Sequence, residues 1–75
     1  MTGHEYRLAL DCVGMSQVGA ARFFGVDAST SRRWISDKLV VPRAVSMLLA
    51  VMIRYKLTPD AVIALEDRVA SLEAH

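Results

Sequence analysis

Residues 16–34 of this 75-residue chain read SQVGAARFFGVDASTSRRW, which contains two short helical patterns separated by a glycine. The first pattern covers residues 17–24, and Gly25 can adopt the left-handed conformation that ends a helix. Asp27 is a good N-cap for the second helix, which spans about residues 28–36. Small residues in the first helix permit close contact with a neighbour, whereas the second helix is mostly polar. The stretch therefore predicts two crossed helices joined by a tight turn, with the second helix exposed.

Three further helices are predicted around this pair. One spans about residues 5–13, and another spans residues 42–55 and begins with a proline that suits a first helical turn. A last helix covers residues 58–73, where a Thr-Pro-Asp start signal precedes apolar residues at heptad-like spacing. The only run rich in β-branched residues, residues 39–41, is cut off by a proline. We therefore expect an all-α chain of five helices.

Composition excludes several classes of protein. Apolar residues make up 53% of the chain and the mean hydropathy is +0.31, which is too apolar for a disordered chain. The longest apolar run, residues 44–53, is interrupted by a serine and is far shorter than the roughly 18 residues of a membrane span. Residues 1–11 are too charged for a signal peptide. Cys12 has no partner for a disulfide, which indicates a reducing cytoplasm.

Charge is unevenly distributed along the chain, although the net charge is only +1. Residues 1–57 carry six Arg and two Lys against four acidic residues, which leaves +4. Residues 58–75 carry one Arg against four acidic residues, which leaves −3. A basic body with an acidic tail is compatible with a phosphate-binding face, and equally with ordinary solvated charge that happens to cluster.

The central stretch resembles the helix-turn-helix of the Cro/repressor-type family, also described as XRE-like or lambda-repressor-like. The preceding residues VGMSQ, at positions 13–17, are similar to the family's usual LGLSQ. The resemblance covers about residues 6–51. The matching positions within the motif are Gln17, Ala21, Gly25, Val26 and Trp34.

This resemblance implies a compact five-helix lambda-repressor-like fold. Residues 1–57 would form a helix-turn-helix DNA-binding domain, with the motif at about residues 16–36. Residues 58–75 would form a C-terminal amphipathic helix that packs on the domain and contributes to a dimer.

Two positions depart from the family pattern. Ser31 lies where the family usually buries Val or Ile, so we expect a thinner core there. No glycine follows the second helix of the motif, so either Asp37 or Lys38 is expected to take the left-handed conformation. Residues 32–39 also resemble excisionase and MerR-like winged helices, but those folds need a β-wing where this chain continues into an apolar helix.

The resemblance also implies which side chains contact DNA. In such proteins the second helix of the motif enters the major groove, and an arginine can bind guanine O6 and N7 bidentately. We expect the groove floor to be read chiefly by Arg33, and the phosphate strands to be held by flanking polar and basic groups. The alternative for each charged residue is simple solvation or, for the arginines, phosphate contact alone. The full predicted set is Gln17, Ala28, Ser29, Thr30, Arg32, Arg33, Lys38 and Arg43.

Other chemistry is not indicated. The two His and one Cys are too few and too scattered for a metal site, and nothing supports a catalytic group or a cofactor site. Trp34 is expected in the core rather than stacked on a base. Phe24 is expected in the core, with its neighbour Phe23 leaning outward over a partner or the fourth helix.

These observations predict a sequence-specific binder of double-stranded DNA, a bacterial or phage transcriptional regulator that represses from a palindromic operator. We expect a homodimer formed by the helices around residues 44–55 and 59–73, because one helix-turn-helix contacts only a few base pairs. One alternative is an antitoxin or adaptor that binds another protein, such as a toxin, through those helices. Another is an excisionase-like factor that assists DNA processing.

Overall fold

The computed structural model describes residues 1–72 of the chain. That part of the chain is entirely helical and contains no strand, so the expected all-α class with five helices is confirmed. None of its helices combines the length and apolar character that crossing a membrane requires. The helices are α1 (Gly3–Val13), α2 (Gln17–Phe24), α3 (Ala28–Ile35), α4 (Arg43–Tyr55) and α5 (Pro59–Leu72).

The first helix begins two residues earlier than the sequence analysis predicted. Thr2 caps it, since the Thr2 hydroxyl accepts from the Glu5 amide at 3.1 Å and the Thr2 amide donates to Glu5 Oε1 at 2.7 Å. These hydrogen bonds to Thr2 lower the pKa of the Glu5 carboxyl. The reciprocal Thr-x-x-Glu pattern is a capping box, a start signal that the apolar periodicity used for the prediction does not contain. At α4 the prediction differs by one residue, because Pro42 occupies the cap position rather than the first turn.

Residues in the left-handed conformation end four of the helices. Gly14 and Gly25 follow α1 and α2, as expected for glycines at this position. Asp37 (φ +62°) follows α3, which confirms that one of the two residues after that helix is left-handed. Lys56 (φ +54°) ends α4, and no sequence signal predicted it. The two non-glycine residues carry a conformational cost that the glycines avoid.

The core lies where α1, α3 and α4 meet. Tyr6, Leu49 and Met52 are completely buried there, and Trp34 is 4% exposed, in agreement with its predicted core position. Tyr6 and Trp34 pack edge to face with ring centroids 5.5 Å apart. Two other apolar residues of α4, Val45 and Leu48, are half-buried and pack at the edge of the core.

The two phenylalanines do not divide between core and surface as predicted. Phe23 and Phe24 are both half-buried and form an edge-to-face pair with centroids 5.1 Å apart. Phe24 also lies 6.3 Å from the Trp34 ring, so it covers the core from one side. Both phenylalanines therefore pack against the core, whereas the prediction placed only Phe24 there.

The last helix extends away from this core. Thr58 caps α5 through a 3.1 Å hydrogen bond from the Ala61 amide, as the start signal predicted. None of the residues of α5 is buried, although Val62 packs at the edge of the core. The molecule measures 43 × 24 × 19 Å as a result. The predicted helix end, Glu73, lies outside the described residues.

Candidate nucleic-acid interface

Helices α2 and α3 pack directly against each other. Ala20 is fully buried and Ala21 nearly so, which allows the two helices to approach closely across the Gly25 turn. The Ser16 hydroxyl caps α2 by accepting from the Gly19 amide at 3.0 Å. Asp27 occupies the cap position of α3 as predicted, but its side chain accepts no capping hydrogen bond.

An open groove lies on the outer side of this pair. It is lined by residues from the start of α2, the outward face of α3 and the turn that follows α3: Gln17, Ser29, Arg32, Arg33, Ile35, Ser36 and Lys38. Five of these seven belong to the set that the sequence analysis predicted. Three of the seven are cationic and none is acidic, so the groove presents a concentration of positive charge.

The other three predicted residues do not line the groove. Ala28 and Thr30 are half-buried in the first turn of α3. Arg43 is exposed at the first residue of α4, outside the groove lining. The structure therefore brings together five of the eight predicted side chains and leaves three outside the groove lining.

The turn after α3 folds back over the helix and places Lys38 beside the groove. The Arg33 carbonyl accepts from the Lys38 amide at 2.9 Å and from the Leu39 amide at 3.2 Å, and the Ser36 hydroxyl donates to it at 3.3 Å. The Asp37 amide donates to the Trp34 carbonyl at 3.3 Å. The hydrogen bonds from the Lys38 amide to the Arg33 carbonyl and from the Asp37 amide to the Trp34 carbonyl form a Schellman motif, which requires the left-handed conformation at Asp37.

Two polar contacts join α1 to α3 and to the turn that follows it. The Tyr6 hydroxyl and the Ser31 hydroxyl lie 2.9 Å apart and both residues are completely buried. The Gly3 amide donates to Asp37 Oδ1 at 2.8 Å. Burial raises the pKa of Tyr6, and the hydrogen bond to Ser31 opposes that rise. Because hydrogen bonds are directional, these contacts set the orientation of α3 on α1.

The Ser31 contact shows how a polar side chain is accommodated at that position. The Ser31 hydroxyl is paired with the Tyr6 hydroxyl, and no buried polar side-chain atom in the described residues lacks a partner. Gly3 explains the close approach of the helices, because a Cβ there would overlap the Ile35 carbonyl and lie 2.7 Å from the Trp34 carbonyl oxygen.

Sequence reasoning missed three residues at this face. Ile35 and Ser36 line the groove itself, and Arg7 lines an adjoining depression together with Gln17 and Ile35. Arg7 is exposed on α1, and only the docking of α1 against α3 brings it near the groove. Its charge is visible in the sequence, but no local pattern distinguishes it from other solvated arginines.

Comparisons with known proteins leave the family open. The chain matches no protein-family model, and comparison with curated proteins and with solved structures finds no match. The resemblance to the Cro/repressor-type family therefore stays a prediction that depends on the motif residues alone. Within residues 1–72, no group of three His, Cys, Asp or Glu side chains is arranged to hold a metal ion.

Proposed function

We propose that this protein binds double-stranded DNA sequence-specifically, with α3 as the recognition helix of a Cro/repressor-type helix-turn-helix, and that it regulates transcription in a bacterial cell or a phage. The observation that carries the proposal is the groove in which five predicted DNA contacts converge. A helix has the right diameter to enter the major groove, and the close α2–α3 packing leaves the polar face of α3 outward.

The proposed division of labour follows from side-chain chemistry. Arg33, with Arg32 as second choice, reads a guanine, since a guanidinium matches the O6 and N7 acceptors. Ser29 lies one turn earlier on α3 and contacts the neighbouring base edge. Gln17, at the first residue of α2, and Lys38 grip phosphates at the two sides of the groove.

Two copies of the protein are required to bind an operator with useful selectivity. One recognition helix contacts only a few base pairs, whereas two copies spaced about 34 Å apart read a palindrome. The proposal needs no cofactor and places the protein in the cytoplasm, where the DNA is. As a repressor, the dimer would act by occupying its operator.

The test is selection of binding sites from a random pool of duplex DNA by the purified full chain. We expect a palindromic winner bound more than about 10³-fold tighter than random duplex. Arg33→Ala should lower the affinity for that winner by about tenfold to a hundredfold and relax the preference at one base pair per half-site.

Arg22→Ala is the matched control. Arg22 is also an exposed helical arginine, but it lines a different cleft, between α2 and α5. The control should leave the selected sequence unchanged. Equal binding to every duplex, or equal effects of the two substitutions, would remove the proposed role of α3.

The excisionase-like alternative receives less support than the repressor. It needs a β-wing after the recognition helix, and the residues following α3 in the described part of the chain lead into α4 without a strand. The antitoxin or adaptor alternative depends on the exposed apolar surface of α4 and α5.

A further inference from the structure

A cleft lies between α2 and the first turns of α5, and none of the residues that line it lines the groove proposed to bind DNA. Its volume is about 460 Å³, within the range of about 300–1,000 Å³ that small-molecule sites occupy. Gly14 and Gly19 keep it open, because neither contributes a side chain. A Cβ at Gly14 would contact nothing within 4 Å, and one at Gly19 would meet the Ser16 hydroxyl oxygen at 3.1 Å.

The inner surface of the α2–α5 cleft is largely apolar. Met15, which is buried, lines it together with Phe23 and Ile63. The last two residues also line a smaller depression of about 100 Å³, which reaches Leu48 on α4 and Val62 on α5. Because the two volumes share Phe23 and Ile63, an apolar group that enters the larger volume can extend into the smaller one.

Two side chains of opposite charge line the larger volume. Arg22 lies on α2 and Asp60 lies in the first turn of α5, and both are exposed to solvent. The hydroxyl of Ser16, which also lines the cleft, already accepts from the Gly19 amide at 3.0 Å. Glu66 lines the smaller depression, where it disfavours an anionic group. The cleft thus offers a cation on one helix and a carboxylate on the other, with apolar surface beside them.

These features match an amino acid with a large apolar side chain. A guanidinium binds a carboxylate bidentately, and a carboxylate accepts strong hydrogen bonds from an ammonium group. A zwitterion therefore complements Arg22 and Asp60 together. A simple carboxylic acid would bring its charge near Asp60, and a simple amine would bring its charge near Arg22, so each is disfavoured. The apolar side chain of the ligand has Phe23 and Ile63 to pack against.

The α5 helix lacks packing that such a ligand supplies. It is 14 residues long and buries no residue, and an isolated helix of that length is marginal in water. A ligand in the cleft contacts α2 and the first turns of α5 at once. Because it binds only when α5 is folded in place, it stabilises that arrangement by mass action.

We propose that the α2–α5 cleft binds a free amino acid with a large apolar side chain, whose carboxylate pairs with Arg22 and whose ammonium group pairs with Asp60. The ligand side chain lies between Phe23 and Ile63. This proposal goes beyond the DNA-binding function and does not depend on it, since the cleft and the groove have no residue in common.

NMR titration of the full chain without DNA tests the site, with leucine, methionine and phenylalanine as probes at up to about 20 mM. We expect at least one of the three to shift the amide resonances of Gly14, Gly19 and Ile63 saturably, with a dissociation constant of about 1 mM. Glycine, which has no side chain to bury, should bind at least about tenfold more weakly. The absence of saturable shifts with all three probes, or equal binding of glycine, would overturn the proposal.

Two substitutions test the charged contacts separately, with the tightest probe and its blocked derivatives. Arg22→Gln should weaken binding of the amino acid about tenfold, but it should bind the amide, which lacks the carboxylate, no more weakly than the wild type does. Asp60→Asn should weaken binding of the amino acid by a similar factor, but not binding of the N-acetyl form, which lacks the ammonium group. The same spectra show whether each variant keeps its fold.

Arg54→Gln and Asp67→Asn are the matched controls. Both residues are exposed on helices and lie outside the cleft and the smaller depression, so neither substitution should change binding of the amino acid. Equal losses in the controls would show a general effect of charge and overturn the site. These titrations contain no DNA, and the selection of duplex DNA contains no amino acid, so either proposal can fail without the other.

Discussion

The buried hydroxyl pair between α1 and α3 is the most demanding contact in the core. Tyr6 and Ser31 satisfy each other at 2.9 Å, with no exposure to solvent. Tyr6→Phe or Ser31→Ala alone leaves one buried hydroxyl without its partner, which costs about 1–3 kcal/mol of unfolding free energy. The double variant removes both hydroxyls, so we expect it to be at least about 0.5 kcal/mol more stable than the sum of the two losses predicts. Urea denaturation of the four proteins measures this coupling.

The pH dependence of stability provides a second readout of the same pair. Because burial raises the pKa of Tyr6 above its ordinary value near 10, the folded state favours the neutral phenol. The contribution of the neutral Tyr6 phenol to the free energy of unfolding is complete below the ordinary pKa of tyrosine. It is lost as the pH rises through the folded-state pKa. The wild type should therefore lose stability above about pH 10 more steeply than Tyr6→Phe. Equal alkaline slopes would show that burial does not raise the pKa of Tyr6, and strictly additive losses in urea would show that the two hydroxyls act independently.

Helix ends offer a test at two matched positions. Within residues 1–72, Lys56 and Asp37 are the two non-glycine residues in the left-handed conformation, each in the turn that ends a helix. Lys56→Gly removes a conformational cost of about 1–2 kcal/mol and adds unfolded-state entropy of about 0.4–1 kcal/mol, so we expect a net stabilisation of about 0.5 kcal/mol. Thermal unfolding followed by circular dichroism measures the difference.

Asp37→Gly is the informative comparison for Lys56→Gly. It relieves the same backbone cost but also removes the carboxylate that accepts from the Gly3 amide at 2.8 Å. We expect it to be neutral or destabilising, since the lost hydrogen bond contributes about 1–2 kcal/mol. If both substitutions stabilise the protein equally, the Asp37–Gly3 contact contributes nothing to α1 docking.

The helices and their order were predictable because their signals are local. Apolar spacing, the glycines after α1 and α2 and the Thr58 cap each act within a few residues, and all five helices follow from them. The five groove residues were grouped through the helix-turn-helix resemblance, which covers α2, α3 and the turn after α3 as one continuous stretch. Contacts between distant residues could not be predicted, since nothing near Ser31 in the sequence indicates Tyr6, and nothing near Arg7 indicates the groove.

The molecule as a whole carries its opposite charges on different parts of the chain. The basic excess of +4 lies in residues 1–57, which contain the groove, and the acidic residues of α5 lie outside the groove lining. Affinity for DNA should therefore depend on the groove cations and on the number of copies bound.

The salt dependence of the DNA-binding constant reports how many copies of the protein bind the duplex. The logarithm of the binding constant falls with the logarithm of salt concentration by about 0.9 for each phosphate neutralised. If Lys38 holds one phosphate in each copy, Lys38→Gln should make the slope shallower by about 1.8 for a dimer and by about 0.9 for a monomer. Fluorescence anisotropy with the selected duplex, over about 50–300 mM salt, distinguishes the two values, and Arg22→Gln, outside the groove, should leave the slope unchanged. An unchanged slope in Lys38→Gln would show that the turn after α3 does not touch the DNA backbone.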